Sequence, residues 1–333
     1  MMNSYKNKGF TLVELLLVLL IVSIVAGVSL TSLTQKDDQE RYIQSLRGLY
    51  MLSDALVKVS DYENQQTISG FVSDNGKLPD VVTGNDVLQI QPLIELDSSW
   101  GSYSLYGAYT PIYATTAGTG FASSLTNSVL FKGYRGPYIP SNKLDSQRQF
   151  RDRWGLQYEV TKASTNEISF TFNHQLADGA TNKISSLTSS VTNDHMPEFW
   201  SVSLGMLSFR IDNASSTTLA AGMDGSSSTM KVGLILFVNG ATPSWLTYSF
   251  AISELLSGAQ ATYGYGALNV NAWQVSDNNL IGSVLADVNA IRIPVGTHLV
   301  VLMDESSQTI KAQANILVLP GSSIPTLTLK VVS

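Results

Sequence analysis

The chain has 333 residues, a formal net charge of -6, three histidines and no cysteine. That length supports one or two domains with sizeable cores, and the absence of thiols excludes a disulfide framework, a zinc knot and a cysteine nucleophile. Lys and Arg are scattered through an acidic chain rather than gathered into a basic stripe, so no nucleic-acid partner is expected.

The first forty residues are the most informative. No ionisable side chain occurs from Leu15 to Gln35, and Leu15 to Val28 reads LLLVLLIVSIVAGV. A bilayer core takes roughly 20 helical residues, so the run from Phe10 to about Ser32 is long enough to span it once. Lys6 and Lys8 precede it with no acid among residues 1–9, which predicts a cytoplasmic N-terminus and an exported body. A cleaved signal peptide would carry small residues of A-x-A type after the apolar run, and Val25-Ala26-Gly27 matches that poorly. Glu14 is a carboxylate at the start of the apolar helix. Buried unpaired in lipid it would cost on the order of a few kcal/mol, so it either meets a cationic partner or snorkels to the membrane surface.

The string from Lys8 to Gly27, KGFTLVELLLVLLIVSIVAG, resembles the type III signal of type IV prepilins and of the pseudopilins of type II secretion. The resemblance implies cleavage by prepilin peptidase between Gly9 and Phe10, N-methylation of Phe10 by the same peptidase/methyltransferase, and pairing of Glu14 with the new amino terminus at Phe10 of a neighbouring subunit. It also implies an inner-membrane precursor whose partners are other pilin or pseudopilin subunits. Chemically, a glycine before the cut leaves the backbone unhindered, and an ammonium and a carboxylate neutralise each other in a low-dielectric bundle.

Beyond the apolar run, Tyr42, Leu46, Leu49, Leu52, Leu56 and Val59 recur at threes and fours, bordered by Asp38, Arg41, Arg47, Asp54 and Lys58. No proline interrupts residues 10–60, so one helix of about 75 Å is expected, with Gly27 and Gly48 as its soft points. From Ser60 to about Phe150 the composition turns to Gly, Pro, Asn, Ser and Tyr, which reads as a long, partly structured connection. Three landmarks in and just after it resemble elements of pseudopilin heads: Gly76-Lys77-Leu78-Pro79, Gly133-Tyr134-Arg135-Gly136-Pro137-Tyr138-Ile139-Pro140, and Asp152-Arg153-Trp154-Gly155-Leu156-Gln157-Tyr158. In the last, Asp152 is suited to hold backbone donors in a turn, Trp154 to anchor it, and Gly155 to take a positive φ.

Leu156–Val160 and Ile168–Phe172 alternate apolar and polar residues around Thr161–Glu167, a hairpin signature. Some members of the resembled family bind calcium in the loop beyond. Here Asn173 to Asp194 offers only scattered Asp178, Asn182, Asn193 and Asp194 without ligand spacing, so calcium is left open and no cofactor is expected. Ser185 to Asn193 is polar enough to act as a tether. Some 160 further residues read as successive short strands separated by Gly, Asn, Ser and Pro, which suggests a sandwich or jelly roll, with Val232–Val238 as a central strand buried on both faces.

The expected fold is α+β: a long N-terminal transmembrane helix packed on a pilin-like antiparallel sheet, followed by an all-β, sandwich-like C-terminal domain. The expected divisions are a leader 1–9, a helix 10–60, a head 61–195 and a β domain 196–333. No catalytic residue is assigned: the chain contains no G-x-S-x-G, H-E-x-x-H, P-loop or G-x-G-x-x-G motif, and His174, His195 and His298 lack local partners at triad or ligand spacing. Asp194-His195 with Glu198 reads as a solvated turn. Trp245, Tyr263, Tyr265 and Trp273 are candidate ligand-binding aromatics, because tyrosines between glycines can present rings to a glycan or protein receptor. The favoured reading of the two tyrosines folds them onto the sheet instead. The expected role is a minor pilin or pseudopilin, with a pilus-tip adhesin and a membrane-anchored enzyme as the alternatives.

Overall fold

The structure is a computed structural model that describes residues 12–62, 65–79, 91–94, 110–111, 131–164, 167–173, 190–219, 230–238, 244–267, 271–274, 279–282, 287–304, 309–321 and 326–332. Helix α1 runs unbroken from Leu12 to Leu56, 45 residues and about 68 Å. Its first half is uniformly apolar. Its second half buries Leu49, Leu52, Ala55 and Leu56 on one stripe, with Tyr42 and Leu46 partly buried beside them.

The stripe ends earlier than the periodicity predicts. Val59 lies on a strand, half-exposed, because the helix stops at Leu56 and strand β1 (Lys58–Tyr62) begins two residues on. With β2 (Gln65–Ser69) it forms an antiparallel hairpin, so the expected loose connection opens with regular structure. Short helices α2 (Phe71–Asn75) and α3 (Gln91–Ile94) and the two-residue pairing of β3 (Thr110–Pro111) with β4 (Phe131–Lys132) follow.

Three antiparallel strands, β5 (Glu159–Ser164), β6 (Glu167–Asn173) and β7 (Ser190–His195), make the sheet that covers α1. The predicted hairpin is there, with both strands extending into the stretch read as its loop. Phe170 and Phe172 on β6 are fully buried and share a core with Leu49, Leu52 and Leu56. Burying each such side chain contributes about 1.5–3 kcal/mol, which fixes the helix to the sheet. Ser190–Asn193, the end of the stretch read as polar enough to flex, pairs with Phe170–Asn173 as the third strand of this sheet.

From β7 the chain passes through α4 (Pro197–Trp200) and β8 (Ser201–Ser203) into the β-rich region. There β9 (Ser208–Asn213), β10 (Met230–Val238), β11 (Ser244–Ala251), β12 (Gln260–Gly264), β13 (Asn271–Gln274), β14 (Asn279–Gly282), β16 (Gly296–Asp304), β17 (Thr309–Val318) and β18 (Leu327–Val331) form two main layers, while β15 (Arg292–Pro294) pairs with β8. One is a six-stranded antiparallel sheet in the order β14-β13-β11-β10-β16-β17; the other is β12-β9-β18, in which β9 and β18 run parallel. Phe209, Ile211, Leu329 and Val331 of the small sheet pack with Val232, Leu234, Leu236, Phe250, Val300 and Leu302 of the large one, a two-layer sandwich. Strand β10 is central as predicted. Val232, Leu234 and Leu236 enter that core, and Ile235 and Phe237 on its other face are buried too.

The two cores abut. Trp200 and Val295 belong to the core around α1, and the Val295 N–H donates to the Trp200 carbonyl (2.9 Å). At Gly296, φ is +135° and an added Cβ would stand 3.0 Å from Ser73 Oγ and 3.2 Å from Ser73 Cα, so this approach of β16 to α2 requires glycine.

Candidate functional site

Along Leu12–Leu30 every large apolar side chain is more than half exposed, from 51% at Val18 to 77% at Leu12. Mean hydropathy over this stretch is 2.7, and none of its described residues is buried. Exposing so many Leu, Ile and Val side chains to water would cost more than about 10 kcal/mol, so this half of α1 needs a bilayer or other helices around it. Glu14 is exposed in the first turn of α1, where a carboxylate also suits the helix dipole. Lys6, Lys8, Gly9 and Phe10 lie outside the described residues. Ser23 does not break the apolar run, since its hydroxyl donates to the Leu19 carbonyl one turn back (2.8 Å).

The other half of α1 is held by polar contacts as well as by the core. Tyr158 Oη donates to the Ser45 carbonyl (2.8 Å), and the Arg153 N–H donates to Ser45 Oγ (3.0 Å). The Tyr158 ring crosses α1 at Gly48, where an added Cβ would lie 2.0 Å from its hydroxyl. Gly48 is therefore a close-approach residue, not a soft point. The loop that delivers Tyr158 is built as its sequence suggests. Asp152 Oδ1 accepts from the N–H groups of Trp154 (2.9 Å) and Leu156 (2.8 Å), Gly155 takes φ +86°, and the Trp154 ring stacks on Phe172 at 6.4 Å. Burial pushes the Asp152 carboxyl up to about 6 despite those donors.

The other two landmarks meet at α2. Gly76 ends that helix with φ +71°, Leu78 is buried, and Tyr138 Oη donates to Asp74 Oδ2 (3.1 Å) while Arg135 Nε stands 3.6 Å from Asp74 Oδ1. Burial raises the Asp74 carboxyl pKa, with Arg135 opposing. Lys132, also buried, donates to the Ser73 carbonyl (2.7 Å), and desolvation lowers its ammonium to about 8. On β16, His298 hydrogen-bonds through Nε2 to the Pro294 carbonyl (2.6 Å). Burial, with the Lys132 charge nearby, holds that imidazole down at about 3. The Lys132 bond ties β4 to α2, and the His298 bond ties β16 to β15.

The reading of Asp194-His195 as a solvated turn is corrected. His195 is not in a solvated turn: it is buried, hydrogen-bonded through Nε2 to Ser53 Oγ on α1 (3.1 Å), and held neutral by desolvation, at about 4. Ser53 gives its own proton to the Leu49 carbonyl (3.2 Å), which leaves its oxygen to accept from the imidazole. Of the two readings of Tyr265, exposed ligand contact or ring folded onto the sheet, the structure has the second, the favoured one. Tyr265 is fully buried, accepts from the Leu234 N–H (3.0 Å), donates to the Tyr248 carbonyl (2.6 Å) and packs edge-on against Phe209 and Phe250. Tyr263 is half-buried on β12, its hydroxyl near Ser253 (3.3 Å). Trp245 and Trp273 stand on neighbouring strands, Trp273 paired with Thr247 two residues from Trp245. Asp178 and Asn182 lie outside the described residues, and Asn193 and Asp194 fall on β7. Among the described residues no three His, Asp or Glu gather at a metal-holding distance.

Residues 4–30 match the family model of the prokaryotic N-terminal methylation motif. No curated protein and no solved structure matches the chain. The motif is that of a structural subunit family whose members are processed by prepilin peptidase and assemble with other pilins. Carried on an apolar helix left exposed along its first half, the motif makes the N-terminal segment similar to that of type IV prepilins and supports a pilin-like or pseudopilin precursor.

Proposed function

We propose that the chain is a minor pilin or pseudopilin, cut between Gly9 and Phe10 on the cytoplasmic side, N-methylated at Phe10, and assembled through α1 at or near the tip of a type IV pilus or a type II secretion pseudopilus. Lys6 and Lys8 keep the leader cytoplasmic, and the body is periplasmic before assembly. The observation that carries this reading is the division of α1: bare and apolar through Leu30, then packed on its own sheet from Ser45 onward. Such a helix moves from lipid into a bundle of like helices, exchanging one apolar surrounding for another. Little net hydrophobic energy changes, so pairing of Glu14 with the Phe10 ammonium of a neighbour supplies register rather than bulk stability. The sandwich beyond the head gives every copy a large lateral body, which disfavours the repeating shaft position and supports low-copy incorporation.

A second reading, a pilus-tip adhesin, takes Trp245 and Trp273, on neighbouring strands β11 and β13, as the candidate contacts for a glycan or protein receptor. The test of the first reading is Glu14→Ala: the subunit is expected to remain in the membrane fraction and to vanish from sheared filaments. Undiminished incorporation refutes the pairing role, and function retained without incorporation favours a membrane-anchored enzyme. For the second reading, loss of receptor binding in Trp273→Ala with incorporation intact is the expected result.

A further inference from the structure

Arg47, Lys143, Arg151 and Arg153 converge on a cleft of about 310 Å³ between α1 and the loop before β5, with Phe150 and Tyr158 in its wall. Arg151 is neutralised: its Nε lies 2.7 Å from Asp145 Oδ2, and a terminal N–H donates to the Gly155 carbonyl (2.8 Å). Among the described residues, no carboxylate lies within ion-pair distance of Arg47, Lys143 or Arg153. Arg47 and Lys143, with Arg153 at the border of the cleft, concentrate positive charge on one concave surface and favour carboxylates there.

About two to three turns nearer the membrane than Arg47, α1 carries Asp37, Asp38 and Glu40, and a second cleft holding Asp37, Glu40 and Arg41 adjoins the first through Gln44 and Arg153. Along this face the charge thus passes from acidic to basic, with about 10–15 Å of helix between the two centres. Ile43 and Tyr50, four residues before and three after Arg47, are half-exposed, so the flank of the cleft is apolar, as protein contacts are. A lipid headgroup does not reach it: roughly 25 Å of helix separates Arg47 from Leu30, several times the depth of a headgroup layer.

We propose that the cleft is a docking socket for the acidic turn Asp37–Glu40 of a second copy of this chain, standing parallel to the first and displaced about 10–15 Å away from the membrane. The proposal rests on the reading that α1 brings subunits side by side. The contact is heterologous, the socket of one copy receiving the acidic turn of the next, and two adjacent copies suffice for it. In each copy the local Asp37–Arg41 pair (2.9 Å) is exposed and worth little, so its carboxylate is available for exchange.

The chain has no cysteine, so introduced thiols report contacts without background. Two differently tagged full-length forms, Gln39→Cys and Asn142→Cys, leave every charge in place and are co-expressed, oxidised in membranes and separated without reductant. A Leu20→Cys form reports association of the apolar segments. The mixed Gln39→Cys/Asn142→Cys dimer is expected to exceed either self-dimer and to fall about fivefold when the Asn142→Cys chain also carries Arg47→Glu and Arg153→Glu. It is also expected to fall in 1 M NaCl, where the screening length is about 3 Å, while the Leu20 cross-link persists. Leu20 cross-links without the mixed dimer overturn the socket and leave assembly standing. Loss of both overturns the assembly reading and the socket with it. A mixed dimer indifferent to charge reversal and salt also overturns the socket.

Discussion

Gly48→Ala separates two roles for one glycine by the sign of its effect. In an exposed helix interior, alanine stabilises relative to glycine by about 1 kcal/mol. Here the new Cβ would stand 2.0 Å from Tyr158 Oη and 2.8 Å from its Cζ, both far inside van der Waals contact. The ring is anchored where it stands, being buried, stacked on Phe150 at 5.1 Å, edge-on to Phe172 at 6.2 Å and hydrogen-bonded to Ser45. Displacing it loses a hydrogen bond of about 0.5–1.5 kcal/mol and overpacks the core by about 1–3 kcal/mol. After the helix-propensity gain, a net loss of about 1–3 kcal/mol remains. Thermal unfolding of the full-length chain in detergent, followed by near-UV circular dichroism, reads this as a drop of about 2–4 °C per kcal/mol. Tyr158→Phe removes the atom in closest conflict, so the double variant is expected to lose less than the two singles combined, by about 1 kcal/mol. A Gly48→Ala protein as stable as the parent, or strict additivity with Tyr158→Phe, refutes the close-approach account.

Tyr265→Phe leaves the Leu234 N–H and the Tyr248 carbonyl without this buried partner and is expected to cost about 1–3 kcal/mol in the same assay; unchanged stability would return Tyr265 to the list of candidate ligand contacts. Asp152→Ala frees the Trp154 and Leu156 N–H groups and is expected to cost about 1–3 kcal/mol, read in the same melts. Acid should destabilise the fold through His195, whose folded pKa of about 4 lies below its unfolded value. The neutral imidazole's contribution is complete above about pH 6.5 and is lost as pH falls toward 4, so His195→Asn should flatten the melting temperature across that range. Asp152 works in the opposite sense: its folded pKa is raised to about 6, so its contribution is lost as pH rises from about 4 to 6, and Asp152→Asn should steepen the acid decline.

The helix and the D-x-W-G turn were legible because their signals are local. An uninterrupted apolar run needs only its own length to declare a span, and Asp152, Trp154 and Gly155 act within five residues of one another. Strand β10 was legible because seven consecutive apolar residues leave no solvent face. The polar interior was hidden. His195 reads as part of a charged turn until β7 pairs with β6 and carries it against Ser53, 142 residues away in sequence. Tyr265 lies among glycines that suit either an exposed ring or one folded onto the sheet, and only the short helical turn after β12 shows how its ring enters between Phe209 and Phe250. Gly48 looked like a weak point because only the returning Tyr158 makes it a contact. The socket was hidden for the same reason: Arg47 and Arg153 are about a hundred residues apart and become neighbours only when the loop before β5 folds back onto α1.

The N-terminus of the protein recovered from sheared surface filaments and, separately, from the membrane fraction tests the central claim most directly. Intact-mass and N-terminal fragment spectra are expected to show the chain beginning at Phe10 with a single methyl group on its amine, and an antibody to residues 200–333 is expected to label filaments far below the shaft subunit's signal. A chain that keeps residues 1–9, or one cut after the apolar run and released, would contradict the assignment as an assembling pilin-like subunit.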